Sequence, residues 1–285
     1  VEELRQSGVS VQEVSWRHPA PNWSQYAAVI IRSPWDYQSD PQAFLQVLER
    51  IELSSARLLN SLATVRWNIR KSYLRELETA GHTIVPTIWL QSPTAAELAQ
   101  LPDHWNCAET VVKPIVGANA DNAFRLPRNP APELLQQAVA AFQQTTALAQ
   151  PFISSVTALG EYSLIFFEGQ FSHAVLKTPA AGDFRVQEEH GGIIQAIQPP
   201  PEMIACAERS LQSCPQPLLY ARVDLVENGG DVLVDRCRGC GARLAESCIP
   251  LVVREEATDV AVEGVLGLRG RLPLIGPDRL PPAPI

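Results

Sequence analysis

Apolar and polar positions along this chain switch between a period near two and a period near 3.6, an order that predicts sheets covered by helices. Val9 to Val14 alternates like a half-buried strand, whereas Ala27 to Ile31 is an unbroken apolar run suited to a buried parallel strand. From Pro41 to about Leu53 the spacing turns helical, with Asp40 as N-cap and Pro41 in the first position. Asn68 is placed to cap a helix running through Lys71, Tyr73, Leu74 and Leu77 to Gly81, followed by a short strand over Thr83 to Thr87. Lys71 then falls in a first helical turn, where the dipole disfavours a cation, and that placement favours a ligand role. Pro93 to Leu101 and Pro130 to Thr145 read as helices on either side of a β-branched strand at Glu109 to Pro114.

The second half is richer in strands. Ala147 to Ile153 is extended, and its internal proline argues against a central, fully paired strand, leaving backbone groups free for a planar base. Glu161 to Phe167 and Phe171 to Lys177 form a hairpin about Glu168-Gly169-Gln170. A three-residue loop sets Glu161 opposite Lys177, and a two-residue loop parts them. Pro199 to Ser213 is a helix, and Tyr220 to Val226 pairs with Asp231 to Val234 across Asn228-Gly229-Gly230.

Three loops and the two termini add to this outline. Arg32 to Tyr37 leaves a strand end as a polar, aromatic loop, read equally as a ligand loop or as a cap on the sheet. Residues 178 to 192 carry three acids, one arginine and three glycines, a composition that suits either a loop closing over substrate or an exposed linker. The chain opens on a helix ending at Gly8 where an α/β protein normally lays a strand, so the first domain is expected to lack its first strand. The proline-rich end at 273 to 285 is expected to be disordered.

Composition narrows the function. At 285 residues the chain can hold two or three modules, and the net charge of −8 argues against a nucleic-acid surface while leaving room for a local basic pocket. No apolar run is long enough to span a membrane, and six cysteines without a disulfide-like spacing make a reducing cytoplasm the default expectation. Among 23 basic residues only Lys71, Lys113 and Lys177 are lysines. A compact ammonium at those three positions suits anion binding. Lys113 ends its strand beside Pro114 and the small-residue loop at Gly117, which suits a phosphate chain. Asp224 lies mid-strand among apolar residues, where a carboxylate is costly unless a cation meets it. No P-loop, no G-x-S-x-G elbow and no histidine cluster is present.

The ordered series R-S-P-W-D-Y, W-N-I-R-K-S-Y-L-R-E-L, V-V-K-P, Q-P-F-I, G-E-Y-S-L-I-F-F-E-G-Q-F-S-H-A-V-L-K, G-D-F-R-V-Q and Y-A-R-V-D-L-V resembles the ATP-grasp superfamily over about residues 9 to 235. It is similar to the branch with glutathione-synthetase-like nucleotide domains and a cycloserine-forming cyclo-ligase. The resemblance implies an α/β fold with α+β lobes. Its parts are a Rossmann-like domain at 1–60 lacking the first strand, a small lobe at 61–150, a large lobe at 151–235 and an irregular tail at 236–285.

It further implies ATP phosphates on Lys71 and Lys113 beside Gly117, adenine at the backbone of Phe152 and Ile153, and ribose on Glu161. Lys177 and Arg185 would serve the reacting groups, with Mg2+ on Asp224. The implied reaction joins a small-molecule carboxylate to an amine or related nucleophile through an acyl phosphate, with neither nucleic acid nor membrane as partner.

One departure stands out. The family continues as acid-x-acid-x-x-E-P, whereas this chain reads Val234-Asp235-Arg236-Cys237-Arg238-Gly239-Cys240. Shifting the possible codons for Asp235 to Arg243 by one base permits I-D-A-E-A-V-E-P, so a frameshift near 235 is expected, and with it an impaired ligase or a non-catalytic ATP-binding protein. The rival expectation for the tail is a zinc site on Cys237, Cys240 and Cys248.

Overall fold

The computed structural model describes residues 5–6, 8–19, 21–32, 34, 36–118, 120–186, 190–238 and 265–268. Two compact units divide the chain, one of Val1–Leu62 with Gly241–Ile285 and one of Ala63–Cys240.

In the first unit, β1 (Val11–Glu13), β2 (Ala28–Ile31) and β3 (Arg57–Leu59) share a sheet, with β2 and β3 parallel. All four residues of β2 are buried, as its apolar run requires. Helix α1 (Pro41–Glu52) begins where Asp40 accepts from the Ala43 N–H at 3.0 Å and buries Phe44, Val47, Leu48 and Ile51. A strand at Val265–Leu268 lies between β1 and β2, antiparallel to both. Residues 236–285 are therefore not irregular throughout. A buried strand has two hydrogen-bonding edges to satisfy; β3 takes one edge of β2 and residues 265–268 take the other.

The second unit holds two antiparallel sheets. One consists of β4 (Ile88–Gln91), β5 (Glu109–Pro114), β6 (Phe124–Pro127) and β7 (Thr146–Pro151) in the order β4-β7-β5-β6. The other consists of β8 (Glu161–Phe167), β9 (Gln170–Thr178), β10 (Ile193–Ile197), β11 (Tyr220–Asn228) and β12 (Asp231–Arg238) in the order β10-β9-β8-β11-β12.

The first core packs Leu98, Leu101, Ala138 and Phe142 of helices Ala95–His104 and Pro132–Phe142 on Val112, Leu126, Ala147 and Ala149. The second packs Met203, Ala207 and Leu211 of helix Pro201–Gln212 on Leu164, Phe166, Val223 and Leu225. Among the described residues no helix is long and apolar enough to cross a membrane.

Several expectations are corrected. Strand β7 is central, paired with both β4 and β5; its proline is tolerated because Pro151 is the last residue of the strand. The helix expected from Asn68 to Gly81 is instead two helices, Leu62–Asn68 and Tyr73–Thr79, and Lys71 sits between them rather than in a first turn. Tyr73, Leu74 and Leu77 join the core of the five-stranded sheet, so residues near 75 pack with the lobe expected to begin at 151. The strand expected at 83–87 lies at Ile88–Gln91, while Ile84 only bridges Val234.

The β8–β9 hairpin resolves the register question. Its loop has two residues, Glu168 and Gly169, both at positive φ, as a tight hairpin turn requires. That length alone would part Glu161 from Lys177. A bulge between Ile165 and Phe166 leaves Ser172 as the extra residue on β9 and restores the pairing of Glu161 with Lys177.

Candidate functional site

Both sheets of the second unit contribute to a single cleft, and the ends of β5 and β7 begin it. Pro114 closes β5, so the chain turns immediately after Lys113 into the loop of Gly117 and Ala118. Lys71 is buried and reaches that loop, donating from Nζ to the Pro114 carbonyl at 2.8 Å and the Gly117 carbonyl at 3.3 Å. A Cβ at Gly117 would come within 2.9 Å of Pro114 Cγ, so glycine lets the loop pack against the proline ring, with the Lys71 ammonium at ordinary contact distance beyond it.

Charged groups of the five-stranded sheet form the opposite wall and the layer behind it. Lys177 Nζ lies 3.1 Å from Glu161 Oε1 and 3.5 Å from Asp224 Oδ1. Asp224 is fully buried and held by Arg222 through both carboxylate oxygens at 2.8 Å, and it also accepts from the Ser163 hydroxyl. The β11–β12 ladder pairs Asp224 with Arg236 and Leu225 with Val234, so Asp235 is the bulged residue. A bulge re-aims its side chain. Asp235 meets Lys113 Nζ at 3.2 Å, an ion pair across the cleft.

The far end is apolar with a few placed polar groups. Phe152 and Ile153 follow β7, with the Arg125 guanidinium 3.8 Å from the centre of the Phe152 ring and 5.9 Å from that of Phe184. The Phe152 N–H donates to the Glu109 carbonyl at 2.9 Å and so is not available to a ligand, whereas the Ile153 N–H has no partner among the described residues. Gln150 is 3% exposed, and its Nε2 donates to Thr87 Oγ1 at 3.0 Å. The Thr87 hydroxyl spends its own hydrogen on the Val85 carbonyl at 2.7 Å. Thr87 can therefore only accept from Gln150, which orients the amide and leaves Gln150 Oε1 as an acceptor in the cleft wall.

Of the residues singled out from sequence, Lys71, Lys113, Gly117, Phe152, Ile153, Glu161 and Arg185 line this cleft. Lys177 and Asp224 stand behind its wall, joined to it through Glu161. Arg185 is bound by its near neighbour Asp183 at 2.7 Å, and the hydrogen bonds from that guanidinium hold the Asp183 carboxyl well below the usual carboxylate range. The sequence reading missed Gln150 and Arg222. Their signals were one amide in the apolar run A-L-A-Q-P-F-I and an arginine two residues before a buried aspartate.

A divalent cation does not fit the described carboxylates. Every oxygen of Asp224 already serves Arg222, Ser163 or Lys177, Glu161 serves Lys177, and Asp235 serves Lys113. A metal on Asp224 would first have to displace a guanidinium from a site without solvent access. Among the described residues no cluster of three metal-ligating side chains occurs; Cys240 and Cys248 of the expected zinc site lie outside them.

Residues 1–60 match the family model described as D-cycloserine synthetase DcsG, N-terminal domain. The crystal structure of D-cycloserine synthetase DcsG matches with a TM-score of 0.72 at 28% identity, covering 85% of each chain. The ATP-grasp ligase PsnB, complexed with minimal precursor, Mg and ADP, matches with a TM-score of 0.54 at 16% identity over 85% of this chain and 84% of that one. The chain has the ATP-grasp fold. This ATP-grasp chain is similar to D-cycloserine synthetase: the cycloserine biosynthesis protein DcsG of Streptomyces lavendulae is 31% identical over 182 residues, 62% of this chain. That alignment spans 60% of the relative's length. D-alanine–D-alanine ligase from Bacillus anthracis, complexed with ATP, shares the fold at 18% identity and a TM-score of 0.51, over 68% of this chain and 62% of that one.

Proposed function

We propose that the cleft binds ATP and serves an ATP-dependent ligase that joins a carboxylate to an amine or related nucleophile through an acyl phosphate. The observation that carries this reading is the polarity of the cleft along its length. One end offers Lys71 and Lys113 beside a close-packed glycine loop, and the other offers an apolar slot with one fixed acceptor and one unpartnered donor.

That slot complements adenine. Adenine presents an amino donor at N6 and an acceptor at N1, which match Gln150 Oε1 and the Ile153 N–H; guanine reverses both. Glu161 is placed for ribose hydroxyls, and the ammonium groups face the phosphates, where positive charge stabilises the transferring phosphoryl group. In the ligase step a carboxylate oxygen of the substrate attacks the γ-phosphorus and ADP departs. The amine then attacks the acyl carbon and phosphate leaves. Arg185 is the cation in the cleft lining for the reacting groups, while Lys177 holds Glu161 from behind the wall.

A second reading, ATP binding without turnover, is favoured by the commitment of Asp224 and Asp235 to internal cations. Isothermal titration of ATP against the wild type and Lys113→Ala tests the site: loss of about tenfold in affinity is expected, and equal affinity refutes the assignment. ADP release on adding a carboxylate and an amine separates the ligase from the binding protein.

A further inference from the structure

In this cleft the phosphate-facing ammonium of Lys113 already holds an anion. Asp235 Oδ1 sits 3.2 Å from Nζ, with both side chains largely buried, at 15% and 10% exposure. The aspartate reaches that position because it is the bulged residue of β12, and the two residues beyond it on the same strand include Arg236 rather than a second acid. Asp224 next door is saturated by Arg222 and Ser163. We infer that Asp235 is an internal counter-ion occupying the phosphate seat on Lys113, and that the cleft takes nucleotide polyphosphate on cationic side chains alone, without a divalent cation.

With nucleotide in the cleft as proposed above, two consequences follow from charge. A polyphosphate must displace Asp235 from Lys113, so the carboxylate competes with the ligand and lowers its affinity. Magnesium-bound ATP carries two fewer negative charges than free ATP, so a site of ammonium groups attracts it less, and the carboxylates among the described residues start out held by Lys113, Lys177 and Arg222. If Asp235 were a metal ligand instead, both consequences would change sign.

The test is isothermal titration of ATP into the full chain in EDTA and in excess magnesium, for the wild type and for Asp235→Asn, with thermal melts to check that the variant folds. The wild type is expected to bind ATP in EDTA at least as tightly as in magnesium, and Asp235→Asn to bind metal-free ATP about five- to tenfold more tightly. A tenfold or larger requirement for magnesium in the wild type overturns the inference while leaving the ATP site standing, and this arm decides even if the variant does not fold. A variant that loses magnesium-ATP affinity while its metal-free affinity stays at the wild-type value overturns it too. Absence of binding by wild type and variant in both buffers removes the nucleotide reading and this inference together.

Discussion

Gln150 shows how one buried side chain can set ligand choice. Its amide is oriented by a hydroxyl that has already spent its hydrogen, so the acceptor in the cleft wall cannot exchange with a donor. Replacing it with leucine removes the acceptor while keeping the bulk. Gln150→Leu is expected to weaken ATP binding by about tenfold and to erase the preference of ATP over GTP, read as the ratio of their dissociation constants. An unchanged ratio would show that the amide does not read the base.

His173 carries a prediction of a different kind. Its Nε2 is buried without a partner among the described residues, and burial lowers the imidazole from its ordinary value of 6.5. The folded state therefore resists a proton that the unfolded chain accepts. The contribution to stability is fully present above about pH 6.5 and is lost as the pH falls from there towards the depressed folded value. His82, also lowered first by burial, acts in the same direction. His173→Phe should flatten the slope of unfolding free energy between about pH 5 and pH 6.5, measured by urea melts; an unchanged slope would assign it to other groups.

Among elements, the β8–β9 hairpin bears most on the site. Gly160 precedes β8 at φ +102°, and a Cβ there would lie 2.8 Å from the Lys177 carbonyl oxygen and 2.9 Å from Leu176 Cδ1. The Leu176 side chain can rotate aside, but the Lys177 carbonyl is backbone and cannot retreat without opening the end of the ladder where Glu161 faces Lys177. Gly160→Ala is expected to cost about 1–3 kcal/mol in stability, read as a lower melting temperature, and to weaken ATP binding through the displaced Glu161. Normal stability with normal affinity would contradict the close approach.

Strand and helix character was legible here wherever a short-range pattern sufficed. The apolar run of β2, the Asp40 cap of α1 and the turn at Glu168-Gly169 all follow from neighbours in sequence. The bulge at Ser172 does not, because an extra residue is defined only against the partner strand. The misplacement of β7 has a related cause: proline removes one donor, and whether that matters depends on which edge and which end of the strand it occupies.

For the second unit as a whole, ligand binding and folding are linked. A ligand that binds only the folded state adds about 2.7 kcal/mol at a hundredfold excess over its dissociation constant. For a unit spanning Ala63–Cys240 that corresponds to a rise in melting temperature of about 5–10 °C with ATP, falling to about half in Lys113→Ala at the same ATP concentration. Scanning fluorimetry checks it, and a melting point indifferent to ATP in the wild type would count against the cleft.

Residue chemistry and local periodicity were enough to pick out the three lysines, the loop at Gly117, the buried Asp224 and many of the strands and helices, because each depends on composition or on neighbours within a few positions. Which of those charges would meet which was decided only by the tertiary structure. Asp235 lies 122 residues from Lys113 in sequence and 3.2 Å from it in space, and it was the paired strands and their bulge that brought them together. The same folding closed Asp224 inside a cage of Arg222, Ser163 and Lys177. A carboxylate's function is set by the cation beside it, and that neighbour is a property of the sheet rather than of the string of residues.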